Sequence, residues 1–221
     1  MRVAPEGWPF ILGGWTVAAG AAWAVWRWGG AGGGWTWALM GLVVALAVWL
    51  VAFFRDPVPG GPRGERFVLA PAQGKVVGVA TVDEPMYLNA PATRISIFLS
   101  VFDVHVNRYP VSGQVEFVDY HPGKFLHAAD EKASLDNEQS SIGIRGPRGP
   151  VLVRQIAGLI ARRIVTDAKP GARATQAERL GLIRFGSRTD VFLPVAAQPT
   201  LRVKPGDRVI VGETVLAEYA Q

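Results

Sequence analysis

The feature that most constrains this chain is the near absence of charge over its first 54 residues, where only Arg2, Glu6 and Arg27 are ionised. Pro9 to Trp26 is an uncharged apolar run, and Trp35 to Phe54 is a second, closed by Arg55-Asp56-Pro57. Between them lies Gly29-Gly30-Ala31-Gly32-Gly33-Gly34. A helix needs about 20 apolar residues to cross a hydrocarbon core, and somewhat shorter spans are tolerated, so both runs qualify. Trp8, Trp28 and Trp35 stand at the span ends, where indole rings favour the interface. The connector is too short to hold a domain, so residues 1–55 are expected to form a two-helix transmembrane hairpin. A cleaved signal peptide is the competing reading of the first run. Against it, no small-residue cleavage site follows a charged n-region, and a second span follows at once. Arg55, Arg63 and Arg66 follow the second span, whereas the connector region holds only Arg27. The positive-inside bias therefore puts both termini, and the rest of the chain, on the cytoplasmic side of the cell (inner) membrane.

Residues 56–65, with Pro57, Pro59, Gly60, Gly61 and Pro62, read as a short stiff linker, and residues 66–221 as a soluble domain. The chain of 221 residues carries a net charge of +5. That excess is spread along the sequence, so no nucleic-acid partner is expected. The chain has no Cys, which rules out disulfides and thiolate chemistry. Val-rich segments alternate with turn signals such as Ser112-Gly113, His121-Pro122-Gly123, Gly146-Pro147 and Pro205-Gly206, so the domain reads as strand-rich. Arg94 to Val106 is a long candidate strand, and Ala128 to Gln139 a candidate helix. Two stretches share a pattern. Lys169-Pro170-Gly171 leads through Arg173-Ala174 to Leu180-Gly181, and Lys204-Pro205-Gly206 leads through Arg208-Val209 to Val215-Leu216. A turn, a short strand and a second turn suit the hairpins of lipoyl-like barrel-sandwich domains. The expected fold is thus a transmembrane α-helical hairpin followed by a β-rich (α+β) domain with lipoyl-like hairpins.

Two segments carry candidate chemistry. In Arg184-Phe185-Gly186-Ser187 a nucleophile follows a residue without a Cβ, which can take strained backbone angles and leaves its carbonyl open to attack. The Ser187 hydroxyl could take over the acyl group of Gly186, and elimination of that ester followed by hydrolysis would leave a pyruvoyl group. A lone Gly-Ser is more often an ordinary turn. In Phe102-Asp103-Val104-His105-Val106-Asn107-Arg108, Asp103 and His105 would share one face of a strand, where a carboxylate could set the imidazole tautomer. The bland alternative is a surface aspartate and a hydrogen-bonded core histidine. His121 and His127 receive no role.

Together these segments resemble the short, membrane-anchored phosphatidylserine decarboxylases. The resemblance runs through most of residues 66–218. It includes Ala70-Pro71-Ala72-Gln73-Gly74-Lys75-Val76, Phe102 to Arg108, Pro122-Gly123-Lys124-Phe125-Leu126, Lys132-Ala133-Ser134 and Asn137-Glu138. Further on come Gln155-Ile156-Ala157-Gly158, Ala161-Arg162-Arg163-Ile164 and Arg184-Phe185-Gly186-Ser187. The resemblance implies self-cleavage of a precursor into a β chain, Met1 to Gly186, and an α chain from Ser187. It also implies a pyruvoyl group derived from Ser187 as the only cofactor, with no metal. Phosphatidylserine in the bilayer would be decarboxylated to phosphatidylethanolamine through a Schiff base with its amine. It assigns His105 to processing, with Asp103 as its neighbour, and places Lys124, Asn137 and Glu138 in substrate-binding motifs. Self-association into a homo-oligomer stays open. Longer relatives carry a second histidine where this chain has Arg108, so no role transfers there. The family's Pro-Ala-Asp-Gly is here Pro71-Ala72-Gln73-Gly74, and Gln73 cannot supply the negative charge that supports self-cleavage. The alternative is therefore an unprocessed, catalytically silent relative that binds phosphatidylserine. A lipoyl-like adaptor without chemistry accounts for the repeats but not for the ordered set of family segments.

Overall fold

A computed structural model describes residues 2–28, 34–123, 137–158, 164–184 and 186–220. The chain divides into two compact units, Met1–Val58 and Pro59–Gln221.

In the first unit, strand β1 (Arg2–Val3) leads into helix α1 (Trp8–Trp28), and helix α2 (Gly34–Phe53) leads into strand β2 (Arg55–Asp56). The helices have 21 and 20 residues. At 1.5 Å per residue each is about 30 Å long, the thickness of a hydrocarbon core. Both are long and apolar enough to cross a membrane. β1 and β2 pair antiparallel, Arg2 with Asp56 and Val3 with Arg55, and tie the ends of the hairpin together. Small residues line the helix seam. Ala18 and Ala47 are buried there, and a Cβ on Gly14 would stand 2.8 Å from Leu50 Cδ1. Close backbone approach of this kind is how helices associate where no hydrophobic effect drives them together. The outward faces carry Leu12, Trp23, Trp26, Leu42 and Leu46, all exposed.

The second unit is built of strands. In chain order these are β3 (Phe67–Leu69), β4 (Gly74–Glu84), β5 (Ala90–Leu99), β6 (Val106–Arg108), β7 (Gly113–His121), β8 (Gln139–Gly146) and β9 (Gly149–Ala157). After them come β10 (Ile164–Thr166), β11 (Arg173–Ala174), β12 (Arg179–Ile183), β13 (Ser187–Pro194), β14 (Thr200–Leu201), β15 (Arg208–Val209) and β16 (Val215–Glu218). An eight-stranded curled sheet runs β11-β7-β8-β9-β13-β5-β4-β15, and two three-stranded sheets run β10-β12-β6 and β14-β16-β3. One core draws on all three: Ile97, Ile144 and Val191 from the large sheet, Leu180 and Leu216 from the small ones. Two apolar helices followed by a strand-rich domain is the architecture the sequence leads one to expect.

Two local expectations change. The strand from Arg94 ends at Leu99, because Ser100–Asp103 closes a turn in which Asp103 N–H donates to Ser100 O at 2.9 Å. Most of the expected helix Ala128–Gln139 lies outside the described residues. Its end is extended instead, with Asn137 in a bridge and Gln139 opening β8. Residues of the expected linker are pinned to the second unit. Gly60 N–H donates to Glu213 Oε1, and Arg63 donates to the carbonyls of Pro59, Gly61, Pro62 and Gly212.

The strand order reads the same outward from the β9–β13 pair, and the hydrogen bonds show why. Val76 pairs with Ile97, which pairs with Thr189; in the other half Val115 pairs with Ile144, which pairs with Val151. Bulges fall at matching places, after Val76 in β4 and after Val115 in β7. Arg108 N–H donates to Pro71 O, and its counterpart Leu69 N–H donates to Pro110 O. A Cβ on Gly74 would lie 2.0 Å from Phe98 O, and one on Gly113 would lie 2.2 Å from Arg145 O. The domain is thus two similar halves about a pseudo-two-fold axis between Val153 and Val191, which pair with each other. The two shared sequence stretches are the matching edge-strand segments: β11 and β15 close the opposite edges of the large sheet, and β12 and β16 are the middle strands of the small ones.

Candidate active site at the start of strand β13

β13 lies inside the large sheet, paired with β5 on one side and β9 on the other. Its first residue, Ser187, stands opposite Leu99 of β5 and Ala157 of β9. Side chains alternate along a strand, so Ser187 and Thr189 share the face of the core residues Val191 and Leu193. Ser187 is fully buried, and its Oγ has no hydrogen-bond partner among the described residues. A buried hydroxyl left unpaired costs about 1–3 kcal/mol, so such an atom calls for an explanation. Gly186 precedes it at φ +66, in the left-handed region where a side chain is strained. Among the described residues, chain neighbours aside, nothing lies within 4 Å of where a Gly186 Cβ would be.

His105 lies against this junction. Its Nδ1 bonds the backbone carbonyl of Asp103 at 2.9 Å, and the Gly186 N–H donates to its Nε2 at 3.3 Å. A carbonyl can only accept, so Nδ1 carries the proton and the Nε2 lone pair faces the residue before Ser187. The His105 ring is completely buried.

Asp103 positions His105 by a different atom from the one expected. Its carboxylate does not face the imidazole from a shared strand. Oδ2 accepts from Ser100 N–H at 2.9 Å and Ser100 Oγ at 2.7 Å, and Oδ1 pairs with Arg208 at 2.5 Å. The carboxylate shapes the turn, and the turn presents the carbonyl.

Asn137 and Glu138 are brought to the other side of Ser187. Asn137 Nδ2 donates to Ala157 O at 2.7 Å, and Ala157 N–H donates to Glu138 O at 2.9 Å, so both touch the residue that pairs with Ser187. The Tyr120 phenol is held above its ordinary range by desolvation and then by its hydrogen bond to the Glu138 carboxylate. Lys124 lies outside the described residues. Arg108 takes a structural place: Nη1 donates to Ala177 O at 2.8 Å from a buried position. Gln73 precedes Gly74, whose close approach to Phe98 presses it against the end of β5. It therefore lies one strand beyond Ser187's partner, roughly 10 Å across two strand spacings.

Sequence reasoning assigned nothing to the polar groups packed around β13. Gln155 sits opposite Thr189, donates to Asn107 Oδ1 at 2.8 Å and accepts from Thr166 Oγ1 at 2.9 Å. On the reverse face Arg188 makes a two-pronged pair with Asp190, at 2.7 and 3.0 Å, and a bond to Ser96 Oγ at 2.7 Å, all buried. The signal was present: alternation puts Arg188 and Asp190 on one face of a strand too apolar to be exposed.

Known proteins match this chain along its length. A family model described as phosphatidylserine decarboxylase matches residues 46–217. A protein of Symbiobacterium thermophilum (strain DSM 24528 / JCM 14929 / IAM 14863 / T) named phosphatidylserine decarboxylase proenzyme is 44% identical over 220 residues, which is 99% of this chain and 96% of that relative.

Proposed function

The chain belongs to the phosphatidylserine decarboxylase family, and from that premise we propose that it cuts itself between Gly186 and Ser187 and decarboxylates phosphatidylserine with the pyruvoyl group so formed. The observation that carries the reading is the His105 Nε2 lone pair against Gly186, beside the unpaired, buried Ser187 hydroxyl.

The first step moves an acyl group. Once the Gly186 N–H releases it, His105 Nε2 takes the Ser187 hydroxyl proton, Oγ bonds the Gly186 carbonyl carbon, and the Gly186–Ser187 C–N bond breaks. The proton passes to the departing nitrogen, leaving an ester and a free amine. Loss of the Ser187 α-proton then expels Gly186 as a carboxylate, and water replaces the resulting imine nitrogen, releasing ammonia. The residues fit the group: Ser187 offers the required hydroxyl, Gly186 brings no side chain to the junction, and His105 is in the tautomer that accepts a proton. Once formed, the pyruvoyl carbonyl supplies the electrophile for the substrate amine and the sink for the electron pair that carbon dioxide leaves behind. Asn137 and Glu138, through Ala157, hold the strand that keeps residue 187 in place, and His105 Nε2 is the candidate to return a proton to the substrate α-carbon. Lys124, Asn137 and Glu138 are the proposed headgroup contacts.

A lipid substrate suits a domain tethered to a bilayer. The hairpin spans the cell (inner) membrane, and the arginine bias after α2 puts the catalytic domain on the cytoplasmic side.

Intact mass under denaturing conditions tests the reading. The expected result is two fragments, the smaller starting at a blocked residue 187, and a single uncut chain for Ser187→Ala. Release of labelled carbon dioxide from phosphatidylserine tests the second step. A full-length wild-type mass with an ordinary Ser187 overturns the proposal.

A second reading, a silent phosphatidylserine-binding relative, is motivated by Gln73, an uncharged residue that precedes the Gly74 packed against the end of β5. It predicts lipid binding without fragments.

A further inference from the structure

The duplicated architecture gives the Ser187 corner a twin. Ser187 pairs with Leu99 on one side of the axis; on the other side Gly149 pairs with Gly146 in the equivalent register. By the same matching Arg148 stands for Gly186, and Ser112 for Gln73. Ile183 N–H donates to His105 O, and Tyr219 N–H donates to Arg66 O, so Arg66 stands for His105 and Gly64 for Asp103. The twin has therefore lost the nucleophile, the base and the turn-shaping carboxylate. It holds a cavity of about 500 Å³, whose lining includes Gly64, Ser112, Gly146, Arg148 and Gly149. The two corners are eight strand residues apart, roughly 27 Å along the β9–β13 pair.

Its chemistry is that of an anion site. Arg63, Arg148 and Arg173 line it against one carboxylate, Glu65. Arg148 and Arg173 are exposed, and among the described residues their side chains make no hydrogen bond or ion pair. Arg63 spends its donors on backbone carbonyls and keeps its charge. Tyr219, only 6% exposed, also lines the cavity, and its hydroxyl is buried with no partner among the described residues. Burial pushes the Tyr219 phenol up, so at neutral pH it remains an O–H donor. Guanidinium groups and an unpaired hydroxyl together match a tetrahedral oxyanion.

We propose that this cavity, the pseudo-symmetric twin of the Ser187 corner, binds a phosphate group, either free phosphate or the phosphate of an anionic lipid headgroup. The site carries out no covalent chemistry. It stands on the fold and its charges, and does not require Ser187 to react.

The test uses the full chain in phosphatidylcholine nanodiscs at constant ionic strength. One arm titrates inorganic phosphate by calorimetry. The other adds phosphatidylglycerol to the discs and follows hydrogen exchange of the Gly146–Gly149 turn. Binding in either arm that falls at least about tenfold in Arg148→Ser/Arg173→Ser supports the site, and the responding arm identifies the source. Tyr219→Phe separates a ligand contact from a mere packing fault. As a contact it weakens binding several-fold; if affinity is unchanged, the hydroxyl has no part in the site. Absence of binding in both arms, or binding that the double variant leaves intact, overturns the proposal.

Discussion

The two corners of the domain share a backbone and differ in what was placed on it. At one, strand β13 begins with a buried serine preceded by a left-handed glycine and faced by a histidine lone pair. At the other, strand β9 begins with Gly149, at φ +114, in a tight turn with Arg148 before it and Arg66 where the histidine stands. The difference teaches that the fold alone does not set the chemistry of a corner. It provides a paired strand start twice, and one of the two carries the serine, the histidine and the turn-shaping aspartate.

Several changes break or sharpen that contrast. The largest effect is all or none. Ser187→Ala leaves one chain of 23.8 kDa, while Gly149→Ser, which puts a serine at the twin position, yields no new fragment; a cut at 149 on a mass spectrum would mean that the backbone suffices. Next, His105→Gln slows fragment formation by about 10²–10⁴-fold, the range for loss of a general base. Arg66→Gln, at the twin position, leaves the same time course unchanged. Third, Asp190→Ala strands the buried Arg188 guanidinium behind Ser187 and lowers unfolding stability in a denaturant titration by about 3–5 kcal/mol. Fourth, Gly74→Ala and Gly113→Ala each drive a methyl against a carbonyl oxygen and cost about 1–3 kcal/mol. Similar losses for the pair support the duplication, and tolerance of one alone breaks it. The smallest expected change is a gain. Gln73→Asp raises the processing rate severalfold, while Ser112→Asp, its counterpart, does not; no change with Gln73→Asp removes the reason for expecting slow cleavage.

Much of this was legible in the residues. The two uncharged runs become α1 and α2 within two residues of their expected ends, because an uninterrupted apolar stretch closed by Gly or Arg-Asp-Pro leaves few alternatives. The Pro-Gly repeats were visible too, but composition alone could not show that they occupy opposite edges of one sheet; that depends on register, which is set by distant partners. The Asp-x-His pair misled for a local reason. Val-rich flanks suggested one strand, whereas Ser100 and Asp103 satisfy each other across four residues, and such side-chain bonds compete with the sheet ladder. His105 stands out by its type, and the partner of its Nδ1, a backbone carbonyl, has no sequence signature. The unpaired Tyr219 hydroxyl was equally invisible, since only packing decides which polar atoms go without partners.

Severing a polypeptide usually liberates two loose ends. In the proposed cut the downstream end would be the first rung of β13, which is laddered to β5 and to β9 from Ser187 as far as Phe192. The shorter product could not peel away without stripping two neighbours at once, so the proposed scission would change covalent connectivity but not architecture. The pyruvoyl group proposed for residue 187 would inherit the address of the serine it replaced.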